Sequence, residues 1–267
     1  MTAGVLIFAF NNEHIDYVAM AAWSSRNIHR HLKVPVCVVT DSEHVPASYD
    51  FDHVIRCAPE GKHWRHFSDI ADPCTWYNGN RVDAYQLSPW DHTLVLDADY
   101  VVASDQLTCL WNLDQDFLAH SRAWEVTGVD GFEQNNHYGL HHMPMSWATV
   151  MLFRRSQSAD MIFQCMRMIR QNWDHYRNLY GITTATYRND IALSIALAIA
   201  DGHAQVWPSI PWPLASVNTT HRLTQLAQDQ YCVHYHTPQR QHRWITLQQD
   251  FHAMGKSHLG DIVASNL

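Results

Sequence analysis

The sequence has no Cys-x-x-Cys pair among its six cysteines, no apolar run long enough to cross a bilayer, and no excess of basic charge. Each absence removes a class of protein. Cys37, Cys57, Cys74, Cys109, Cys165 and Cys232 fall mostly in apolar stretches and read as reduced core residues of a reducing compartment. The longest apolar segment, Ile191 to Ala200, falls short of the ~18 residues of a membrane span and reads as a core helix. The opening MTAGVLIFAFNNE lacks the basic region of a signal peptide, so a buried strand is expected there. A formal charge of −8 supplies no field for nucleic acid, although basic clusters stand at His221-Arg222 and from Arg240 to Arg243. Repeats, low-complexity tracts and linkers are also missing. A soluble, cytoplasmic, single-domain protein without membrane contact is the expectation.

An apolar fraction of 46% in 267 residues fits one large α/β domain. Eleven Trp and eleven Tyr serve core packing first, with a sugar- or base-binding cleft as their other use. Twenty His make the net charge sensitive to mild acid. Strands are expected at Gly4 to Phe10, Val34 to Thr40 and Asp52 to Cys57, and a helix over His14 to His31. Pro59 to Asn80 reads as a long loop with a helical turn, and Arg81 to Leu87 as a helix stopped by Ser88-Pro89. Further strands are expected at Phe117 to Glu125, Trp147 to Arg154, Ala204 to Trp207 and Tyr231 to His236. Gln106 to Trp111, Ala159 to Tyr176 and Arg188 to Asp201 read as helices. The order favours a mostly parallel sheet flanked by helices, in one domain with a substrate-binding second half.

The segment from His92 to Val102, HTLVLDADYVV, carries the chemistry. An apolar strand ends in Asp97-Ala98-Asp99, and a side-chain period of two points both carboxylates the same way. Two hard oxygen ligands on one face suit Mg²⁺ or Mn²⁺ holding a phosphate. Ligands of open α/β sheets sit at the carboxyl ends of strands. The polar exits Asn11-Asn12 and Asp41-Ser42 would meet the aspartate pair there and form a nucleotide pocket. A haloacid-type phosphotransferase also places such a pair after an apolar strand, normally the first strand and followed by a small hydroxyl residue. Here the strand is a later one and Tyr100 follows, so that reading is the alternative.

These residues resemble the GT-A fold glycosyltransferases, most nearly the glycogenin and bacterial galactosyltransferase group. The family's strand ends close to Tyr-Leu-Asp-Ala-Asp, matched by Val95-Leu96-Asp97-Ala98-Asp99. Arg81 stands on the preceding helix, where a basic residue of the family contacts the donor. Trp147 to Phe153 follows the family's Asn-Ala-Gly-Val-Met-Leu-Phe in its apolar half. Asn189-Asp190 opens a helix where the family has Asp-Gln. His234-Tyr235, Arg240 and Trp244 follow the order of its C-terminal His-Phe, Lys and Pro-Trp. The resemblance implies transfer of a sugar from a nucleotide-diphosphate donor, with uridine as the base, to an acceptor left open. The acceptor classes are a glycan, a small molecule, a protein or a modified base of DNA, the last disfavoured by net charge.

Phe10, Asn11, Asn12, Asp41, Arg81, Asp97, Ala98 and Arg240 are accordingly the candidate donor contacts. Asp97 and Asp99 are the candidate metal ligands, with His234 or His236 as a third. Those two histidines lie two apart on a predicted strand, and a carboxylate–imidazole set favours Mn²⁺ over Mg²⁺. Asp190 is the candidate to face the reacting carbon, as base if the reaction inverts and as a sugar-positioning group if it retains. A fold of this kind that binds nucleotide without catalysis is a further alternative.

Overall fold

The computed structural model describes residues 2–66, 72–125, 137–204, 207–217, 233–236, 241–244 and 250–253. At Glu125, Val217, 233–236, 241–244 and Ala253 it describes the backbone alone. The chain opens with β1 (Ala3–Phe8), α1 (Tyr17–His31), β2 (Val36–Thr40) and β3 (His53–Arg56). A hairpin of β4 (Lys62–Arg65) and β5 (Cys74–Tyr77) follows. A 3-10 turn at Asn80–Asp83 then runs into α2 (Ala84–Leu87), β6 (His92–Asp97) and β7 (Tyr100–Val101). The second half begins with β8 (Phe117–His120), β9 (Ala123–Glu125), β10 (His137–Tyr138), β11 (Met143–Pro144) and β12 (Trp147–Arg154). It continues through α3 (Gln157–Gln171), α4 (Trp173–Leu179) and α5 (Asn189–Ala200). The last strands are β13 (Leu214–Val217), β14 (Val233–His236), β15 (Gln241–Trp244) and β16 (Phe251–Ala253).

The central sheet has the order β3-β2-β1-β6-β12-β8. Its first four strands are parallel, and β12 runs antiparallel between β6 and β8. The period of two divides each strand between two cores. Val5, Ile7, Leu94 and Leu96 pack on the α1 side with Val18 and Ile28. Leu6, Val95 and Met151 pack on the other side with Phe163 of α3 and Ile191 of α5. Burial of both faces is why these strands read as continuous apolar runs. Gly4 is required by close approach, because a Cβ there would lie 2.4 Å from the Trp90 indole.

A second sheet, β7-β16-β13-β9, joins four short strands from distant parts of the chain. Both halves therefore share the central sheet, and the second sheet begins directly after the aspartate strand. Several expectations need correction. Pro59 to Asn80 is not a loop around a helical turn but holds the β4–β5 hairpin, whose polar and aromatic alternation hid it. Phe117 to Glu125 is two strands in two sheets. The chain turns between them at Ser121-Arg122, where the Leu214 amide donates to the Arg122 carbonyl at 2.8 Å. The helix expected over Ala159 to Tyr176 breaks at Asn172, whose φ and ψ are −120° and 38°. Ala204 and Trp207 lie outside any strand, and 205–206 fall outside the described residues. The five described cysteines are free thiols, but Cys109 is exposed and not in the core.

The topology fixes where a ligand can sit. The chain leaves β1 for β2 on one side, while β6 joins β1 from the other. The carboxyl ends of β1 and β6 therefore flank a topological switch point, where loops diverge and leave a crevice. Phe8 is paired with Asp97 across that point.

Candidate active site

Asp97 is the last residue of β6, as its apolar run requires. Asp99 is not on the strand: it stands in the two-residue turn that links β6 to β7. Both carboxylates nevertheless line one cleft at the switch point. Phe8, Phe10, Trp76, Tyr77 and Trp147 line the same cleft, so apolar rings stand beside the carboxylates. Asp97 keeps a quarter of its side chain exposed, whereas Asp99 is buried.

The third member of the group is His252. Strand β16 pairs antiparallel with β7, setting His252 opposite Tyr100. Its Nε2 lies 3.3 Å from Asp99 Oδ1 and 3.9 Å from Asp97 Oδ2. One donor atom from each of the three residues falls within 4.8 Å of the others. Burial holds the imidazole well below its usual range, against the pull of Asp190, which favours the neutral form that ligates metals. Two carboxylates and a neutral imidazole at one corner of the cleft form a donor set that could hold a metal ion.

Arg81 comes from the 3-10 turn before α2 and donates through one terminal nitrogen to Asp97 Oδ1. Its other terminal nitrogen donates to the Ala148 carbonyl at 2.5 Å. The ion pair occupies one oxygen of Asp97 and leaves Oδ2 facing His252. Burial pulls the guanidinium down to about 10, so it stays charged at neutral pH. Ala148 is held from both ends, because its amide donates to Asp190 Oδ1 at 2.8 Å. Asp190 Oδ2 accepts from Arg188 at 3.2 Å. Asp190 thus lies in the first turn of α5 without capping it, since the N-cap position is Arg188. Its carboxylate is fixed against β12 at the cleft wall.

Phe10 and Ala98 also line the cleft, and Phe10 meets Tyr77 edge to face at 6.4 Å between ring centroids. Asn11, Asn12 and Asp41 are not among the lining residues. Asn11 Oδ1 accepts from the Val18 amide at 3.0 Å, and Asn12 Oδ1 from the His14 and Ile15 amides at 2.9 and 2.8 Å. Both asparagines close the turn before α1. Asp41 is exposed at the exit of β2. The backbone of His234 and His236 pairs with β15. Their side chains, and all of Arg240, lie outside the described residues.

Sequence reasoning missed His252, Arg65 and Arg188. The signal for His252 was faint: a histidine between Phe251 and Ala253 in a strand of three residues. Arg65 was hidden with its hairpin. Arg188 adjoins the predicted Asn189-Asp190 helix start and was within reach of the same reasoning.

No protein-family model matches the chain, and no curated protein matches its sequence. Solved structures do resemble it. The galactosyltransferase LgtC, in complex with donor and acceptor sugar analogues, is 16% identical with a TM-score of 0.46 over 73% of this chain and 70% of LgtC. The glycosyltransferase GlyE of Streptococcus pneumoniae TIGR4 is 15% identical, TM-score 0.44, over 79% of this chain and 46% of GlyE. Mouse xyloside xylosyltransferase 1 is 11% identical, TM-score 0.43, over 76% of this chain and 83% of that one. The geometry of Asp97, Asp99 and His252 stands independently of these alignments.

Proposed function

We propose that the protein is a metal-dependent glycosyltransferase that takes a sugar from a nucleotide-diphosphate donor. The observation that carries this is the convergence of Asp97, Asp99 and His252 at the switch point of a mostly parallel sheet. A divalent ion held by these three residues would neutralise the charge that develops on the departing diphosphate. Mn²⁺ suits the donor set, and uridine is the base implied by the sequence resemblance.

The chain's own residues supply the rest. Arg81 adds a fixed positive charge beside Asp97 and locks the end of β6 to Ala148. Phe10 and Tyr77 offer an aromatic wall for the base. Asp190, held by the Ala148 amide and Arg188, faces the reacting carbon. It takes the acceptor's proton if the reaction inverts, and positions the sugar if it retains. The acceptor half over 104–267 selects the second substrate.

Thermal-shift titration with UDP, UDP-glucose, UDP-galactose and GDP-mannose, each with and without Mn²⁺, tests the reading. A rise in Tm that needs both nucleotide and Mn²⁺, and that vanishes in Asp97→Asn, is the expected result. Hydrolysis of a simple phosphate ester, without any nucleotide response, would instead support the phosphotransferase alternative. Product NMR of the anomeric proton then decides between inversion and retention.

A further inference from the structure

The β4–β5 hairpin lies outside the central sheet yet reaches the cleft with Arg65, Trp76 and Tyr77. It is pinned through one buried residue, Thr75. The Thr75 amide donates to Glu13 Oε2 at 3.0 Å, its hydroxyl to Glu13 Oε1 at 2.5 Å, and its carbonyl accepts from Asn12 Nδ2 at 2.7 Å. These bonds hold the Glu13 carboxyl down to about 2, so the latch stays ionised through the working pH range. The far end of the hairpin is tied as well: Asn78 donates to the Tyr187 carbonyl at 2.7 Å and accepts at its own carbonyl from Asn189 at 2.9 Å. A hairpin fixed at both ends presents its side chains to the cleft in a set position.

What it presents is charge. The Arg65 guanidinium stacks over the Trp76 ring at 5.3 Å from the centroid, which orients its plane. Arg65 stands within electrostatic reach of His252 and of Arg188, in a cleft that also contains Arg81. Asp97 and Asp190 pair with Arg81 and Arg188 there, Asp190 also attracts Arg65, and Arg65 lines the same cleft as Asp97, Asp99 and His252. Planar guanidinium forks match phosphate oxygens in pairs.

We infer that Arg65 is a donor-binding residue that contacts the diphosphate, and that the Glu13–Thr75 latch is the positioning device that holds it there. This rests on the nucleotide-sugar reading of the same cleft. No covalent step is involved.

Inorganic pyrophosphate is the probe, because it carries the diphosphate without base or sugar. Titration calorimetry of Mn²⁺ alone, then of pyrophosphate into the Mn²⁺-loaded protein, separates the two events. Arg65→Ala should weaken pyrophosphate by about tenfold and Arg65→Lys by about threefold, since lysine keeps the charge and loses the fork. Mn²⁺ affinity should not fall in either variant, because neither change touches the three ligands and loss of the guanidinium near His252 in Arg65→Ala only removes a repulsive charge. Glu13→Gln should weaken pyrophosphate by about threefold in the parent and have no further effect in Arg65→Ala, the signature of action through Arg65. A purely structural Glu13 would give the same loss in both backgrounds and would overturn the latch. Unchanged pyrophosphate affinity in Arg65→Ala would overturn the inference and leave the nucleotide-sugar reading standing. A parent protein that binds Mn²⁺ but no pyrophosphate would overturn both.

Discussion

The two sheets of this protein are built on different terms. The central sheet draws β1, β2 and β6 from runs of apolar residues buried on both faces, with six consecutive register pairs between β1 and β6. The second sheet is made of strands two to four residues long, and its β7–β16 contact joins Tyr100 to His252 across most of the chain. The first sheet supplies Asp97, the second supplies His252, and the turn between β6 and β7 supplies Asp99. The metal site proposed for these residues would lie across that boundary and couple ligand binding to the less autonomous sheet, so occupancy should stabilise the second sheet more than the first. Hydrogen exchange in saturating Mn²⁺ should therefore show added protection at β16 and β13 and little at β1 and β6.

The largest expected effect comes from breaking the joint itself. Asp99→Asn should lower transfer by about 10³-fold, or about 4 kcal/mol of transition-state stabilisation. Without metal it should leave Tm unchanged or raise it, because it removes one of two crowded carboxylates. The Mn²⁺-dependent rise in Tm should disappear. Retention of that rise would show that Asp99 is not a ligand.

The second test sets one sheet against the other. Leu94 in β6 and Phe251 in β16 are both fully buried. Leu94→Ala should cost about 3 kcal/mol in a urea titration and leave the Mn²⁺ affinity of the folded protein intact. Phe251→Ala should cost a similar amount and also weaken Mn²⁺ by about tenfold, because it loosens the strand that carries His252. Equal Mn²⁺ affinities in the two variants would erase the distinction between the sheets.

This contrast also explains what was legible in the sequence. Strands β1, β2, β6 and β12 announced themselves because continuous apolar runs are what two-sided burial demands. The aspartate pair was visible because it ends such a run, and Arg81 because it stands on the element before it. The β4–β5 hairpin was missed because Lys-His-Trp-Arg carries no apolar face. His252 was passed over because its importance comes from pairing with Tyr100, and a three-residue strand advertises no partner. Asn11 and Asn12 illustrate the opposite error of emphasis: polar residues after a strand suit a ligand, and they equally suit the turn that starts the next helix.

The third test addresses the junction where β8 gives way to β9. His120 is buried at the end of β8, and its Nδ1 lies 2.9 Å from the Trp212 carbonyl. Burial holds its imidazole down to about 4, whereas an unfolded histidine titrates near ~6.5. The folded protein therefore binds fewer protons in that window, so stability is full above pH ~6.5 and falls as the pH drops toward the folded value. The total loss is about 3 kcal/mol. His120→Asn keeps an N–H donor for Trp212 and should flatten the pH dependence of the urea midpoint between ~4 and ~6.5. An unchanged slope in that variant would assign the acid sensitivity to other groups.

The smallest expected effect concerns Asn12, which sits beyond the carboxyl end of β1. Its oxygen accepts two backbone amides before α1 and its nitrogen donates to Thr75, so its bonds are internal to the fold. Asn12→Ala should cost about 1 kcal/mol of stability, the usual net worth of a hydrogen bond in such a turn. It should change UDP affinity in Mn²⁺ by less than about threefold, because its only route to the cleft is through the hairpin latch. A tenfold loss of UDP affinity at unchanged stability would make Asn12 a direct nucleotide contact. The site would then extend along the end of the central sheet, beyond the corner where the two sheets meet.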